Sequence, residues 1–351
     1  MKINWRNFFT IFFLVIGLAA MYVIVKGYGL RAIINVYKNF NPTTLLLYII
    51  AVTCIFIVLT WRWDVILRSR EIKVPFLRLF YYRIIGTAIN FFTPGPRVGG
   101  EPTQAALLGE HGAEFTKALS TVMIDKIIDT TTSGLLFIIG AILVMLHYVV
   151  PIGLKIFLIV GAILFVTIVG IFYYRMLTNR HFFLRLFQIS GLNRIKNQTI
   201  IKLEHKIEEI ELIMIDFYKN DKKAFMVSMA ISIFSWAVMF AEYKLATTLL
   251  GLHLGYVELF FIISFIGMAV LFPIPMAVGV LEAGQVSAFA IIGISGSAAV
   301  ALAFLVRIKD LAWGVIGMIL LAIFGFSPAK IVEKKYQEKR TIIERKKRTG
   351  S

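Results

Sequence analysis

Charge and cysteine are both scarce in these 351 residues. Asp, Glu, Lys and Arg make up 16% of the chain, hydrophobic residues 59%, and the mean hydropathy is +0.82. Soluble domains carry about 25% charged residues, so a water-soluble globule is excluded. The single cysteine, Cys54, excludes an internal disulfide framework and a cysteine metal site. His111, His147, His181, His205 and His253 are scattered without metal-ligand spacing, and no Ser-His or Cys-His pattern marks a nucleophile. Residues 94–100 lack the G-x-x-x-x-G-K-[ST] and G-x-G-x-x-G patterns, and no segment is long enough for a nucleotide-binding domain. No catalytic residues, metal or cofactor are therefore expected. Period-2 alternation is missing too, which excludes a membrane β-barrel.

What is present is a set of long apolar runs: residues 8–25, 43–60, 134–150, 152–174, 224–250 and 311–326. A helix needs about 20 residues to cross roughly 30 Å of hydrocarbon, and these runs fit. The first follows Lys2 and Arg6 as a signal peptide would, but no small-x-small cleavage site follows it, so it reads as a retained span. Net charge is +17, and 25 of the 37 basic residues fall in segments 62–83, 175–223 and 329–351. The positive-inside rule places all three in the cytoplasm, along with both termini of a multi-pass protein of the cell membrane. No aromatic interleaving accompanies the basic residues, so nucleic acid is not an expected partner.

Two stretches interrupt the apolar pattern. Pro94, Pro96, Arg97, Gly99, Gly100 and Glu101 lie in the first (90–108); Pro273, Pro275, Gly279 and Glu282 lie in the second (271–285). Each has the order Pro-x-Pro, Val-Gly, Glu. About 25 residues after each glutamate comes a charged helix segment, with Asp125, Lys126 and Asp129 in one case and Arg307, Lys309 and Asp310 in the other. Prolines make an unbroken crossing unfavourable. Balancing the basic loops then requires one hairpin to enter from the cytoplasm and the other from outside. The expected fold is an all-α polytopic membrane protein, an inverted-topology repeat with two re-entrant broken-helix hairpins and about six to eight spanning helices. Its parts are an N-terminal half (1–174), a cytoplasmic connector (175–223), a C-terminal half (224–328) and a basic tail (329–351). Within the connector, Ile200, Leu203, Ile207, Ile210, Met214 and Phe217 recur at helical spacing, with Lys202, Lys206, Glu208, Glu209 and Glu211 between them.

Breaking a helix in hydrocarbon leaves backbone polar groups needing partners, which implies a polar cavity. Pro102 suits the first turn of a new helix whose N–H groups favour an anion, and Arg97 offers a planar cation matched to phosphate. Glu101 either pairs with Arg97 or receives a cationic headgroup. Asp125 and Asp129 share one helix face, with Lys126 aside, and pairing of either acid with Arg307 is the expected arrangement.

The break running into "RVGGE", the downstream "VMIDKIID" and the late "P-x-P…VGVLE…G" with its in-membrane arginine resemble the flippase-like membrane family that includes the lysylphosphatidylglycerol synthase transmembrane region. The likeness runs over residues 8–326. It implies an inverted-repeat bundle that moves lipids or lipid-linked headgroups between leaflets. It also implies site residues at Pro94, Arg97, Gly99, Gly100 and Glu101, and at Pro275, Gly279, Glu282 and Arg307. In bacterial multiple peptide resistance factors a similar domain is joined to a soluble aminoacyl-transferase. This chain runs only about 25 residues past its last span, so that activity does not carry over. The chain departs from the pattern at Lys126, where an arginine is expected beside the acid, and at Ala277, where a glycine is expected. The expected function is lipid translocation, of a phospholipid or a polyprenyl-phosphate carrier, with membrane lipids as partners and a second copy or a partner enzyme left open. The alternatives are a membrane lipid transferase or an accessory subunit of a lipid-modifying glycosyltransferase.

Overall fold

The computed structural model describes residues 40–92, 99–192, 197–271 and 280–324. The expected first span, Pro94, Pro96, Arg97, Pro273, Pro275, Gly279 and the basic tail lie outside them. Among the described residues every regular element is helical. In chain order these are α1 (Pro42–Ser69), α2 (Phe76–Phe92), α3 (Gly100–Leu108), α4 (Phe115–His147), α5 (Ile152–Leu177), α6 (Phe183–Ile189), α7 (Gln198–Asn220), α8 (Lys222–Leu249), α9 (Tyr256–Leu271), α10 (Val280–Ile291) and α11 (Gly296–Phe324).

Local chemistry sets the element ends. Pro42 opens α1, where its missing N–H costs nothing, and the Asn41 side chain accepts from the N–H of Thr43 at 2.8 Å. Gly112, at φ 80°, turns the chain between a short 3-10 segment (Gly109–His111) and α4, a conformation that a side chain would oppose.

Among the described residues, α1, α4, α5 and α8 are long and apolar enough to cross a membrane. α11 has 29 residues, but Arg307, Lys309 and Asp310 sit near its middle. α5 buries only Leu158, Phe172 and Met176, whereas Ile156, Ile163, Leu164 and Ile168 point outward. Such a surface is a liability in water and is at rest against lipid. Where α5 touches the bundle, Gly134 of α4 accepts the Phe165 ring so closely that a Cβ there would overlap it.

The packing is reciprocal. Two runs of helices have the same layout: α2 (17 residues), α3 (9) and α4 (33), then α9 (16), α10 (12) and α11 (29). Each short helix packs on the two helices that flank it in sequence. Each run's long last helix packs on the other run's first helix, α11 on α2 and α4 on α9. α1 and α8, which precede the two runs, form the most extensive pairing.

Two expectations need correction. The basic segment 62–83 is not a loop, because α1 continues to Ser69 and α2 begins at Phe76; Arg62 lies inside one helix and Arg83 inside the other. The connector does form an amphipathic helix, α7, but only its second half is well packed. Met214 and Phe217 are buried, whereas Leu203 is exposed. Glu211, read as part of the polar face, is fully buried because its carboxylate accepts from the backbone N–H groups of Phe182, Phe183 and Leu184, with His181 Nδ1 at 3.2 Å. One acid on α7 thereby caps the start of α6.

Candidate functional site

Among the described residues, three polar clusters inside the helix bundle concern the site. The first is built on Arg62, whose side chain is 1% exposed. Its Nε donates to Asp125 Oδ1 at 2.7 Å, and its Nη1 donates to Asp129 Oδ1 at 2.8 Å and Ser232 Oγ at 2.7 Å. The other oxygen of Asp125 accepts from Arg83 Nη1 at 2.7 Å. Arg83 also donates to the Leu59 carbonyl and lies over the Trp63 ring, 5.1 Å from its centroid. Asp125 and Asp129 do share a face, as their spacing predicts, but the cation they meet is Arg62. The expected pairing with Arg307 is replaced because α1, continuing past Thr60, brings a guanidinium to α4. A planar fork reaches two carboxylates at once, the buried Asp125 and the partly exposed Asp129.

The second cluster surrounds Glu101 at the start of α3. Asn90, near the end of α2, bridges the break: its Oδ1 accepts from the Gly100 N–H at 2.7 Å and its Nδ2 donates to Glu101 Oε1 at 3.2 Å. Lys126 Nζ lies 3.6 Å from the same oxygen. Glu101 Oε2 is buried with no hydrogen-bond partner among the described residues. The close seating depends on glycine, since a Cβ on Gly100 would strike the Gly86 carbonyl oxygen and the Asn90 side chain. Gly86 in turn leaves room for Gln104, which is 7% exposed. Gly99 forms the N-cap of α3. The first free N–H of this helix is thus taken by Asn90, and the open valence is the carboxylate oxygen.

In the second half, Lys309 Nζ lies 2.8 Å from Glu242 Oε1 and 3.9 Å from Asp310 Oδ1. Glu282 lies in α10, one turn before Gln285. Gln285 is fully buried, and neither atom of its amide has a hydrogen-bond partner among the described residues. Arg307 and Asp310 lie one turn apart on α11, as their spacing predicts.

Sequence reasoning missed Arg62, Arg83, Asn90, Glu242 and the two glutamines. A signal existed for the last pair, since Glu101-x-x-Gln104 and Glu282-x-x-Gln285 each open a short helix after a break. By charge alone Arg62 and Arg83 read as members of a cytoplasmic basic segment. Among the described residues no three His, Cys, Asp or Glu side chains gather as a metal site. Outside the spans, Arg70 clasps the junction of α7 and α8 by pairing with Asp216 and Asp221.

The family model of the lysylphosphatidylglycerol synthase TM region matches residues 10–318. A UPF0104 membrane protein of Methanothermobacter thermautotrophicus is 25% identical over 346 residues, covering 92% of this chain and 97% of the relative. A UPF0104 membrane protein of Methanocaldococcus jannaschii is 26% identical over 342 residues (93% and 96%), and one of Pyrococcus horikoshii 20% identical over 305 residues (84% and 91%). No solved structure matches the chain.

Proposed function

The chain belongs to the family of the lysylphosphatidylglycerol synthase TM region, and from that premise we propose that it translocates a lipid across the bilayer. The headgroup passes along the polar groups between the short helices and their neighbours while the acyl tails stay in hydrocarbon. Arg97, Gly99, Gly100, Glu101, Asp125, Lys126 and Asp129 from the first half, with Glu282 and Arg307 from the second, contact the headgroup. No chemical step is required, and the protein acts as a carrier of a phospholipid or a polyprenyl-phosphate-linked headgroup.

The observation that carries this reading is the buried Oε2 of Glu101, which has no hydrogen-bond partner among the described residues. Lys126, 3.6 Å from the other oxygen of this carboxylate, is 53% exposed in its side chain, so an anion and a cation lie side by side, a pairing that suits a zwitterionic or phosphate-bearing headgroup. In a dry interior an unmet carboxylate oxygen costs roughly 1 to 3 kcal/mol or more, a cost that a transient ligand offsets. The reciprocal packing of α2, α3 and α4 with α9, α10 and α11 supports an inverted repeat, in which paired broken helices hold a site near the midplane. The Gln285 amide, one turn after Glu282 and without a hydrogen-bond partner among the described residues, gives the second half a matching polar group.

The test is a headgroup-resolved translocation assay on the purified protein in liposomes. Wild type moves lipid between leaflets. Glu101→Gln keeps the acceptor that Asn90 uses and removes the charge, so it is expected to fold normally and translocate at least about tenfold more slowly, equivalent to about 1.4 kcal/mol of lost stabilisation. Wild-type protein that moves no lipid of any headgroup class sinks the reading.

A further inference from the structure

Between the span α5 and the connector helix α7 the charge is of one sign. Residues 175–196 hold five Lys/Arg and no Asp/Glu, whereas α7 holds three lysines and five acids. The short helix α6 lies in this basic stretch and is apolar on two faces. Leu184 and Phe187, three residues apart, are buried against the bundle. Leu186 and Ile189, also three apart, are 51% and 68% exposed, and Leu192 just beyond the helix is exposed as well. Arg185, beside them on the outer face, is exposed, and so is Arg180 ahead of the helix. One exposed leucine needs no explanation. Three large aliphatic side chains within seven residues, set among cations without an acid, have the composition of a segment that lies in a membrane surface.

We propose that the outer face of α6 docks into the leaflet at which α5 ends and recognises anionic lipid there. α5 sets the depth. Ile168, Ile171, Tyr174 and Leu177 point outward along its last turns, so lipid reaches the end of the helix, and tyrosine is a residue that settles at headgroup level. The turn that follows is fixed. Asn179 takes the left-handed conformation at φ 56°, its N–H donates to the Met176 carbonyl, and the Arg180 N–H donates to the Arg175 carbonyl. Arg175 Nε in turn donates to the His181 carbonyl at 2.7 Å. α6 begins only six residues after α5 ends, so a fixed turn keeps it at the surface. Arg70, at the end of α1, pairs with Asp216 and Asp221, which sets the end of α7 on the same side as the basic turn between α1 and α2. By charge that side is the cytoplasmic one, whose leaflet carries the anionic lipids.

An anionic leaflet meets both the apolar and the basic side chains of this face. A second copy of the chain does not, since two such faces would bring their arginines together. The inner face of α6 ties the docked helix to the rest of the protein. The Phe182 ring meets Phe172 of α5 edge-on at 5.3 Å, and Glu211 of α7 accepts from the N–H groups of Phe182, Phe183 and Leu184. Met214 and Phe217 of α7 share a core with Ile124 and Ile128 of α4, the helix that carries Asp125 and Asp129. A lipid-docked α6 thereby fixes one side of that core relative to the bilayer. None of this depends on lipid being moved between leaflets.

The test is spin-label depth measurement on the full-length protein in vesicles of phosphatidylcholine alone or mixed with phosphatidylglycerol. In a Cys54→Ala background the label goes on Ile189→Cys, with Ile168→Cys on α5 as the lipid reference and Lys202→Cys on α7 as the water reference; all three side chains are exposed, so the core is left alone. Collisions with oxygen and with a water-soluble nickel chelate give the depth. In the mixed vesicles the Ile189 label should lie about 5 to 10 Å below the headgroups, favouring oxygen as Ile168 does. In phosphatidylcholine alone it should be shallower, and about 1 M salt should remove the difference, because the screening length falls to about 3 Å. Arg185→Glu should remove the same difference without changing thermal unfolding. Nickel access equal to that of Lys202 in both vesicles places the face in water and overturns the docking. Shielding from both reagents means that protein covers the face, and overturns it too. Equal depth in the two vesicles overturns the recognition of anionic lipid. If the label behaves as expected and the protein moves no lipid, the docked helix stands and the translocase reading falls.

Discussion

Replacing Asp125 by asparagine should be the most damaging single change in the first buried cluster. Its carboxylate is 5% exposed and lies between two guanidiniums, each donating at 2.7 Å to a different oxygen. An asparagine keeps one acceptor and turns an N–H group toward the second guanidinium. Arg62 then has Asp129 and Ser232, and Arg83 has the Leu59 carbonyl, so two buried cations share one partly exposed acid. Breaking a buried pair in this way costs roughly 3 to 5 kcal/mol. Asp129 makes one of the same contacts, but its side chain is 39% exposed, so water replaces the lost bond and Asp129→Asn should cost about 1 kcal/mol or less. Arg62→Lys retains the charge but loses the fork that spans both acids, for an intermediate cost of about 1.5 to 3 kcal/mol. Unfolding of purified protein in detergent, followed by thermal or denaturant titration, ranks the three. Equal costs for Asp125→Asn and Asp129→Asn would refute the argument from burial. A double-mutant cycle between Arg62 and Asp125 with coupling near zero, where about 0.5 to 3 kcal/mol is expected, would refute the pairing itself.

Gly100→Ala should push α3 away from α2, since its Cβ meets the Gly86 carbonyl oxygen, a backbone atom that cannot swing aside. A stability loss of roughly 1 to 3 kcal/mol and weaker hydrogen-exchange protection at the Gly100 amide are expected; unchanged protection would contradict the close approach. Glu211→Gln should loosen α6, because the substituted amide offers the Leu184 N–H a second donor where Oε2 now accepts. Hydrogen exchange over residues 182–189 should accelerate, reflecting a loss of roughly 1.5 to 3 kcal/mol, while α8 keeps its protection.

Composition alone settled that this chain lives in a membrane and is built of helices, because sparse charge and long apolar runs leave few other states. The period of 3.6 residues gave the shared face of Asp125 and Asp129, and the repeated Pro-x-Pro, Val-Gly, Glu order marked where the two short helices, α3 and α10, begin. Local patterns carry that information because a helix face and a helix start depend on residues within a turn or two. Which charge meets which is a different kind of fact. Arg62 is 63 positions from Asp125 and 170 from Ser232, and nothing in its neighbourhood distinguishes it from Arg68, which is 67% exposed. Only the crossing of α1 over α4 and α8 puts one arginine inside and leaves the other exposed. Glu211 makes the same point from the opposite direction. It sits on the polar side of α7 by period and is fully buried in fact, because α6 brings three N–H groups to it. Lys309 reads as displaced from the Arg307–Asp310 face, yet α8 gives it Glu242 at 2.8 Å. Burial of a charge is decided by the partner that arrives, and that partner comes from another part of the chain.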